Sequence, residues 1–265
     1  MLLQIVVGVL VAMLAVMVAA WVFCLAVKNG GWTDVFWSFG TGFGLAGAAF
    51  AAAVSDGSGA RRLLVAAFML AWGLRLGVYL AQRVAGHPED ARYANFRATA
   101  KNYQLTMLWV SLPQALATAL LSLSVVAAAM RPTPTLDVRD GLAVLVYGTA
   151  IAGETISDLQ MKRFREDPAN HGKVIQTGLW AWSRHPNYFF QWLGWMAYPL
   201  MALDPSRPAS FLTLIAPAVM YGLLRYVSGV PPLEEAMLKS RGDRFRDYQA
   251  RVSVFFPMPP KRASV

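Results

Sequence analysis

Trp182, Arg184, His185, Asn187 and Tyr188 crowd into the stretch GLWAWSRHPNYFFQ, residues 178–191. Flat rings, hydrogen-bond donors and positive charge in one short segment suit a large, planar, anionic ligand. The segment predicts the mouth of a helix. Gly178 turns the chain, Ser183 caps the helix that follows, and Pro186 is tolerated in its first turn. Asn187 and Gln191 then share a helical face, four residues apart.

Five further groups of residues carry chemistry. Asp34 is the only carboxylate near the start of its apolar stretch, and is either an interfacial helix cap or an acid held in a partly dry site. Trp72, Arg75, Tyr79 and Arg83 follow one another at helical spacing, hence on one face. Arg75 lies deep enough in apolar sequence to need a carboxylate, a cavity or a ligand phosphate. Glu154, Asp158, Lys162 and Arg165 repeat the pattern. With Arg163, the cations offer a phosphate clamp and the carboxylates suit ribose hydroxyls; alternatively the charges merely pair along the helix. Glu234 and Glu235 lead an amphipathic segment to Tyr248, which reads as an interfacial helix. The polar loop 86–103 contains His87, Glu89, Asp90, Arg92, Tyr93, Arg97 and Lys101. It is either a solvated connection or a lid over a helix mouth.

Other chemistries fall away. The three histidines are not at ligand spacing, so no metal is expected. There is no serine elbow and no activated cysteine. Residues 42–47 match GxGxxG letter for letter, but they lie inside an apolar stretch with no strand before them. Small residues there more simply let a neighbouring helix or a bulky apolar ligand come close.

The elements that must hold these residues are membrane helices. Of 265 residues, 56% are hydrophobic and 15% charged, with mean hydropathy +0.42; a soluble domain carries nearer ~25% charge. Apolar runs predict seven spans, at 2–27, 34–54, 63–82, 105–129, 140–160, 180–203 and 209–230. The first is uncharged, longer than a signal-peptide core and without a basic leader, so it is expected to be a retained helix. Phe23 before Cys24 does not suit bacterial lipidation. Residues 28–31 form a tight turn, and Trp32 and Trp37 flank the next helix as interfacial aromatics. The connections after the first, third, fifth and seventh spans hold 17 Lys and Arg against 5 on the other side. That bias puts the first set in the cytoplasm and the N-terminus outside. The formal net charge of +9 is therefore mostly topology, and no nucleic-acid partner is expected. The expected architecture is all-α and polytopic. It is a single seven-helix membrane domain over 1–265, closed by a cytoplasmic segment 231–265, in the inner membrane of a bacterium.

Gly178-Leu179-Trp180, followed by Arg184-His185-Pro186-Asn187-Tyr188, resembles the C-terminal region of the steroid 5-alpha-reductase family. That family includes bacterial members and, more distantly, the sterol C14 and C7 reductases. The loop 86–93, Gly153-Glu154 with Asp158-Leu159-Gln160, and the terminal Glu235, Gly242, Tyr248 and Pro257 are similar to its bacterial branch. The likeness runs from about Asp34 to the end. It implies a seven-helix membrane bundle that uses NADPH to reduce a carbon–carbon double bond conjugated to a ketone. The substrate would be steroid-like or otherwise apolar, drawn from the bilayer. The resemblance assigns Asn187, Arg165, Asp158, Arg75 and Tyr79 to the cofactor, with Arg92 and Tyr93 in a covering lid. Arg83, Glu154, Lys162, Trp180, His185, Tyr188, Gln191, Glu234 and Glu235 join them as candidate cofactor contacts. Asp34 stands about where a family glutamate hydrogen-bonds the ketone, making it the first candidate acid and Tyr79 the second. Two departures leave the natural substrate and the proton donor open. Phe190 and Gln191 stand where the family usually has Gly and Glu, and Trp72 where steroid reductases offer a tyrosine hydroxyl. Isoprenylcysteine-type membrane methyltransferases share the Arg-His-Pro-Asn-Tyr motif and a C-terminal Glu plus Tyr, but use S-adenosylmethionine. The Arg-rich loops here favour NADPH over that alternative. A transporter or lipid-binding bundle would need no phosphate clamp.

Overall fold

Every regular element of the computed structural model is helical among the described residues, which are 1–53, 57–89 and 91–261 with the side chains of 91 and 92 set aside. Asp90, the side chain of Arg92 and Arg262 therefore lie outside the described residues. The uncharged N-terminal stretch forms α1 (Leu2–Val27), which buries only one stripe, Val9, Met13, Met17, Ala20 and Cys24. Its other faces expose apolar side chains, Leu3 and Val11 among them, as a lipid-facing helix does. Lys28 takes a left-handed conformation at the C-cap, and the chain turns directly into α2 (Trp32–Ala51).

After α2 come α3 (Gly59–Val84), the short α4 (Ala91–Thr99), α5 (Tyr103–Ala129), α6 (Val138–Glu166), α7 (Pro186–Trp195) and α8 (Ala197–Ala202). The chain closes with α9 (Ile215–Gly222), a π turn over Leu223–Val227, α10 (Val230–Arg241) and α11 (Asp243–Arg251). Five stretches are long and apolar enough to cross a membrane: Leu2–Val27, Gly59–Val84, Tyr103–Ala129, Val138–Glu166 and Pro208–Arg241. The two other expected spans differ for visible reasons. α2 has the length but is diluted by Thr33, Asp34, Ser38 and Thr41. The stretch 180–203 breaks at Met196 into α7 and α8; the ten residues of α7 rise only ~15 Å, half of a hydrocarbon core.

Two compact units result, Met1–Gly141 with Tyr198–Ala216 and Leu142–Ala197 with Pro217–Val265. In the first, α2 packs chiefly on α3, and α1 on α5. The α2–α3 approach is set by glycine. A Cβ on Gly42 would sit 2.6 Å from the Gly73 Cα, and the converse is also 2.6 Å. The first glycine of the GxGxxG look-alike is thus a helix-packing residue, as expected, while Gly44 and Gly47 meet nothing within 4 Å. Gly42→Val is expected to lower stability by about 1–3 kcal/mol, as overpacking against a backbone does. Gly44→Val should melt within a degree or two of wild type in the same detergent, and equal losses at both positions would discard this account. Trp37, expected at an interface, instead donates its indole N–H to Thr118 Oγ1 at 3.0 Å.

Arg61 falls in the outer connection between the expected spans 34–54 and 63–82, but it lies inside the first turn of α3 and is fully buried. Its guanidinium grips Asp140 with two bonds of 2.8 Å and also donates to the carbonyls of Arg131, Thr133 and Thr135. All its donors are answered, which is how a buried arginine is tolerated. Beside it, the hydrogen bond from Arg131 holds the Asp137 carboxyl down at about 2. The return segment 198–216 is fastened by Ser124, whose hydroxyl donates to Leu212 O at 2.8 Å and accepts the Ala216 N–H at 2.7 Å.

In the second unit, Phe189, Trp192, Tyr221, Phe255 and Phe256 form one aromatic cluster with ring centroids 5.1–6.3 Å apart. It ties α7 to the C-terminal segment. Phe190 lies against Gly153 of α6, where a Cβ would meet its ring at 2.4 Å. A large side chain at 190 is thus accommodated by none at 153.

Candidate functional site

The stretch 178–191 folds much as its residues demand, with one exception. Gly178 has φ +60°, a conformation that favours glycine, and a Cβ there would displace the Gln160 amide, which lies 2.4 Å away. Gln160 Oε1 accepts the Leu179 N–H at 3.0 Å and fixes the turn. Pro186 opens α7 as expected, but Ser183 is not its cap. The Ser183 hydroxyl accepts the His185 N–H at 3.1 Å and donates to Phe255 O at 2.8 Å. It serves to hold the C-terminal segment rather than the helix start.

Arg184 and Glu234 are the centre of that clasp. Arg184 donates Nε–H to Glu234 Oε1 at 2.7 Å and Nη2–H to Oε2 at 3.2 Å, while Nη1 reaches the carbonyls of Gln249 and Val252. Glu234 also receives Gln249 Nε2–H at 2.7 Å and lies 3.0 Å from His185 Nε2. Trp180 donates its indole N–H to Ser157 O at 3.0 Å, and its own carbonyl accepts the Tyr248 hydroxyl at 2.5 Å. Burial pushes that hydroxyl's pKa up, keeping it a donor. Nearly the whole expected motif, Trp180, His185 and Glu234 included, is therefore knitted together. Glu235 is not: it is exposed and pairs with Lys239 at 2.6 Å.

Beside the clasp, α6 presents the face expected for it. Glu154 and Asp158 are buried, at 3% and 6% exposure, whereas Lys162 is exposed and pairs with Glu166 at 3.8 Å. Arg165 lies one turn further on, in the wall of a cavity of about 320 Å³ shared with His171, Lys173 and Arg241. Asn187 Nδ2 donates to Asp158 Oδ1 at 3.3 Å. Its Oδ1 is buried and has no hydrogen-bond partner among the described residues. Such an acceptor is costly to leave unanswered. Gln191, one turn along α7, is also buried, and Tyr188 stacks on His185 with centroids 5.4 Å apart. An amide oriented by a buried carboxylate, with one open acceptor, can recognise a polar planar group.

The first unit gathers a second cluster. Asp34 is not a cap: Gly31 precedes α2, and Asp34 accepts the Tyr93 hydroxyl at 3.0 Å. Tyr93 is 3% exposed and lies on Gly30, where any Cβ would meet its ring at 2.8 Å. Glu89 anchors the loop, accepting from Gly30 N–H at 2.7 Å, from Arg97 at 2.9 and 3.0 Å and from Tyr103 at 3.2 Å. Burial works against ionising Glu89, but the Arg97 and Gly30 hydrogen bonds prevail and hold its carboxyl below the usual range. Arg75 lies 5.6 Å from the ring centre of Tyr79, as their shared face predicts, and Arg83 is exposed at the end of α3. The anchoring contacts of Glu89, Gln160 and Gln249 are not visible in the sequence. Their partners lie 59, 19 and 15 residues away, beyond any periodicity. No three His, Cys, Asp or Glu side chains gather as a metal site among the described residues.

Comparison with known proteins adds family but not activity. Residues 20–252 match the family described as "Protein of unknown function (DUF1295)". An uncharacterized protein of Schizosaccharomyces pombe, C594.04c, is 33% identical over 96 residues, 36% of this chain and 27% of that protein. The chain thus spans about a quarter of the length of that curated relative. No solved structure matches. With most of its length matched, from α1 to the end of α11, this chain belongs to the DUF1295 family.

Proposed function

We propose that this protein is a membrane-embedded, NADPH-dependent reductase of carbon–carbon double bonds conjugated to a ketone, acting on a steroid-like or other apolar substrate. The observation that carries it is Asn187, held by Asp158 with its buried Oδ1 still open, within a motif resembling that of the steroid 5-alpha-reductases. NADPH, when bound, supplies the hydride. The chain's own residues do the rest in two places. In the second unit, Asn187 and Asp158 orient the polar groups of the nucleotide, and Arg165 and Lys162 answer its phosphates. In the first unit, the Asp34–Tyr93 pair donates a hydrogen bond to the ketone, stabilises the negative charge that develops on its oxygen and supplies the proton that, with the hydride, completes the reduction. Tyr79 is the second candidate donor. The cation bias counted over the loops of the sequence supports a cytoplasmic phosphate-binding end, as in a bacterial inner-membrane protein.

Mass spectrometry of the nucleotide that co-purifies with the full chain tests this directly. NADPH is expected; S-adenosylmethionine would instead support the methyltransferase reading. Asn187→Ala is expected to weaken NADPH at least tenfold, about 1.4 kcal/mol, with little change in melting temperature. Equal affinity in wild type and variant would remove Asn187 from the site.

A further inference from the structure

The basic face of the C-terminal segment takes no part in that reading. α11 buries Phe245, Tyr248 and Val252 against Val174, Met237 and Leu238. Its other side walls a cavity of about 380 Å³ with Lys173, Gln176, Arg244, Asp247 and Arg251. Three cations face one carboxylate. Arg251 donates to Gln176 Oε1 at 2.8 Å and Arg244 to Gly172 O at 3.4 Å, both neutral partners. Among the described residues neither they nor Lys173 has an ion-pair partner, whereas Arg246 is answered by Asp243 and Lys239 by Glu235. The hollow therefore keeps a net positive wall. It lies on the helix that follows α10, the charged end of the membrane-spanning candidate Pro208–Arg241, and the same C-terminal stretch exposes Phe256 and Met258.

We propose that this hollow binds the phosphodiester headgroup of an anionic phospholipid. A phosphodiester offers two non-bridging oxygens to guanidinium and ammonium donors, and a segment tethered to a membrane helix meets headgroups at high local concentration. The exposed Phe256 and Met258 suit neighbouring acyl chains. A zwitterionic headgroup brings its own cation, which the net positive wall disfavours.

The test uses the full chain in detergent micelles, with dioleoylphosphatidylglycerol, dioleoylphosphatidylcholine or inorganic phosphate added. Phosphatidylglycerol is expected to raise the melting temperature by several degrees and to remain bound in native mass spectra. Phosphatidylcholine should do neither. K173Q/R244Q/R251Q should lose most of the shift, while K239Q/R246Q, which touches only the paired cations, should keep it. An equal rise from phosphatidylcholine, from phosphate at the same concentration, or in the triple variant overturns the proposal. If the triple variant does not fold, wild type in high salt decides, because screening should erase the shift and its persistence overturns the assignment. Asn187→Ala should respond to the lipid as wild type does, so this result is independent of the reductase reading.

Discussion

Replacing Glu234 by alanine is expected to cost about 3–5 kcal/mol, the range for removing one partner of a buried, hydrogen-bonded charge pair. Both groups are nearly enclosed, with side-chain exposures of 11% for Arg184 and 14% for Glu234. The carboxylate answers two Arg184 nitrogens and Gln249, and sits against His185. Without it the guanidinium keeps its carbonyl partners, Gln249 and Val252, but loses its counter-charge in a place water scarcely reaches. The 178–191 turn then keeps its ties to α11 through Tyr248 and to the C-terminal segment through Ser183, but loses the Glu234 tie to α10. Thermal unfolding in detergent checks this. Glu234→Ala should melt far below wild type, and Glu234→Gln, which keeps the shape and half the acceptors, should fall between. A double replacement of Arg184 and Glu234 by methionine should lose less than the two single losses added, since an apolar pair leaves no orphaned charge. If Glu234→Ala unfolds with wild type, the ion pair is not what closes this part of the fold. NADPH affinity should fall together with stability in Glu234→Ala, whereas in Asn187→Ala it should fall alone.

What the sequence reveals and what it hides divide along one physical line: local spacing is legible and distant pairing is not. Helical periodicity put Glu154, Asp158, Lys162 and Arg165 on one face, and all four do lie on α6. Pro186 marked the start of α7, and the GxGxxG string was recognisable as packing because nothing before it could be a strand. Ser183 misled, because a serine before a helix has a local partner by default and only the fold supplies Phe255 O. Arg61 misled for the same reason. Two adjacent arginines before an apolar run look like a loop, and Asp140, 79 residues on, cannot be seen from there. The broken stretch 180–203 shows a further limit. Its apolar residues meet the length for a span, yet they serve an aromatic cluster around Trp192 and Phe255, and composition does not say whether a greasy side chain faces lipid or a neighbour. The site itself was half legible. Spacing and the family resemblance picked out Asn187 and Asp158, which the fold brings together, while the contacts by which Gln160, Gln249 and Glu234 with Arg184 hold the motif in place are matters of tertiary structure.

On the proposed reaction, Asp34→Ala should retain NADPH but reduce the double bond of a conjugated ketone at least ~100-fold more slowly, the loss that follows when one donor to a developing oxyanion is removed. Asp34 is suited to this because its position is fixed from two directions. The first turn of α2 sets its backbone, and the Tyr93 hydroxyl, buried over Gly30, meets its carboxyl at 3.0 Å. A side chain so held need not reorganise as charge builds, which is where such stabilisation gains its strength. Two variants separate a chemical role from a structural one. Asp34→Asn keeps size and an acceptor for Tyr93, and its amide can still donate to a ketone, so part of the turnover should return. Tyr93→Phe removes only the hydroxyl and should lower kcat more than it raises KM, since the interaction strengthens in the transition state. A KM effect alone in either variant would make the pair a substrate-binding contact. Full turnover in Asp34→Ala would transfer the role of proton donor to Tyr79, and Tyr79→Phe should then show the loss expected here for Asp34.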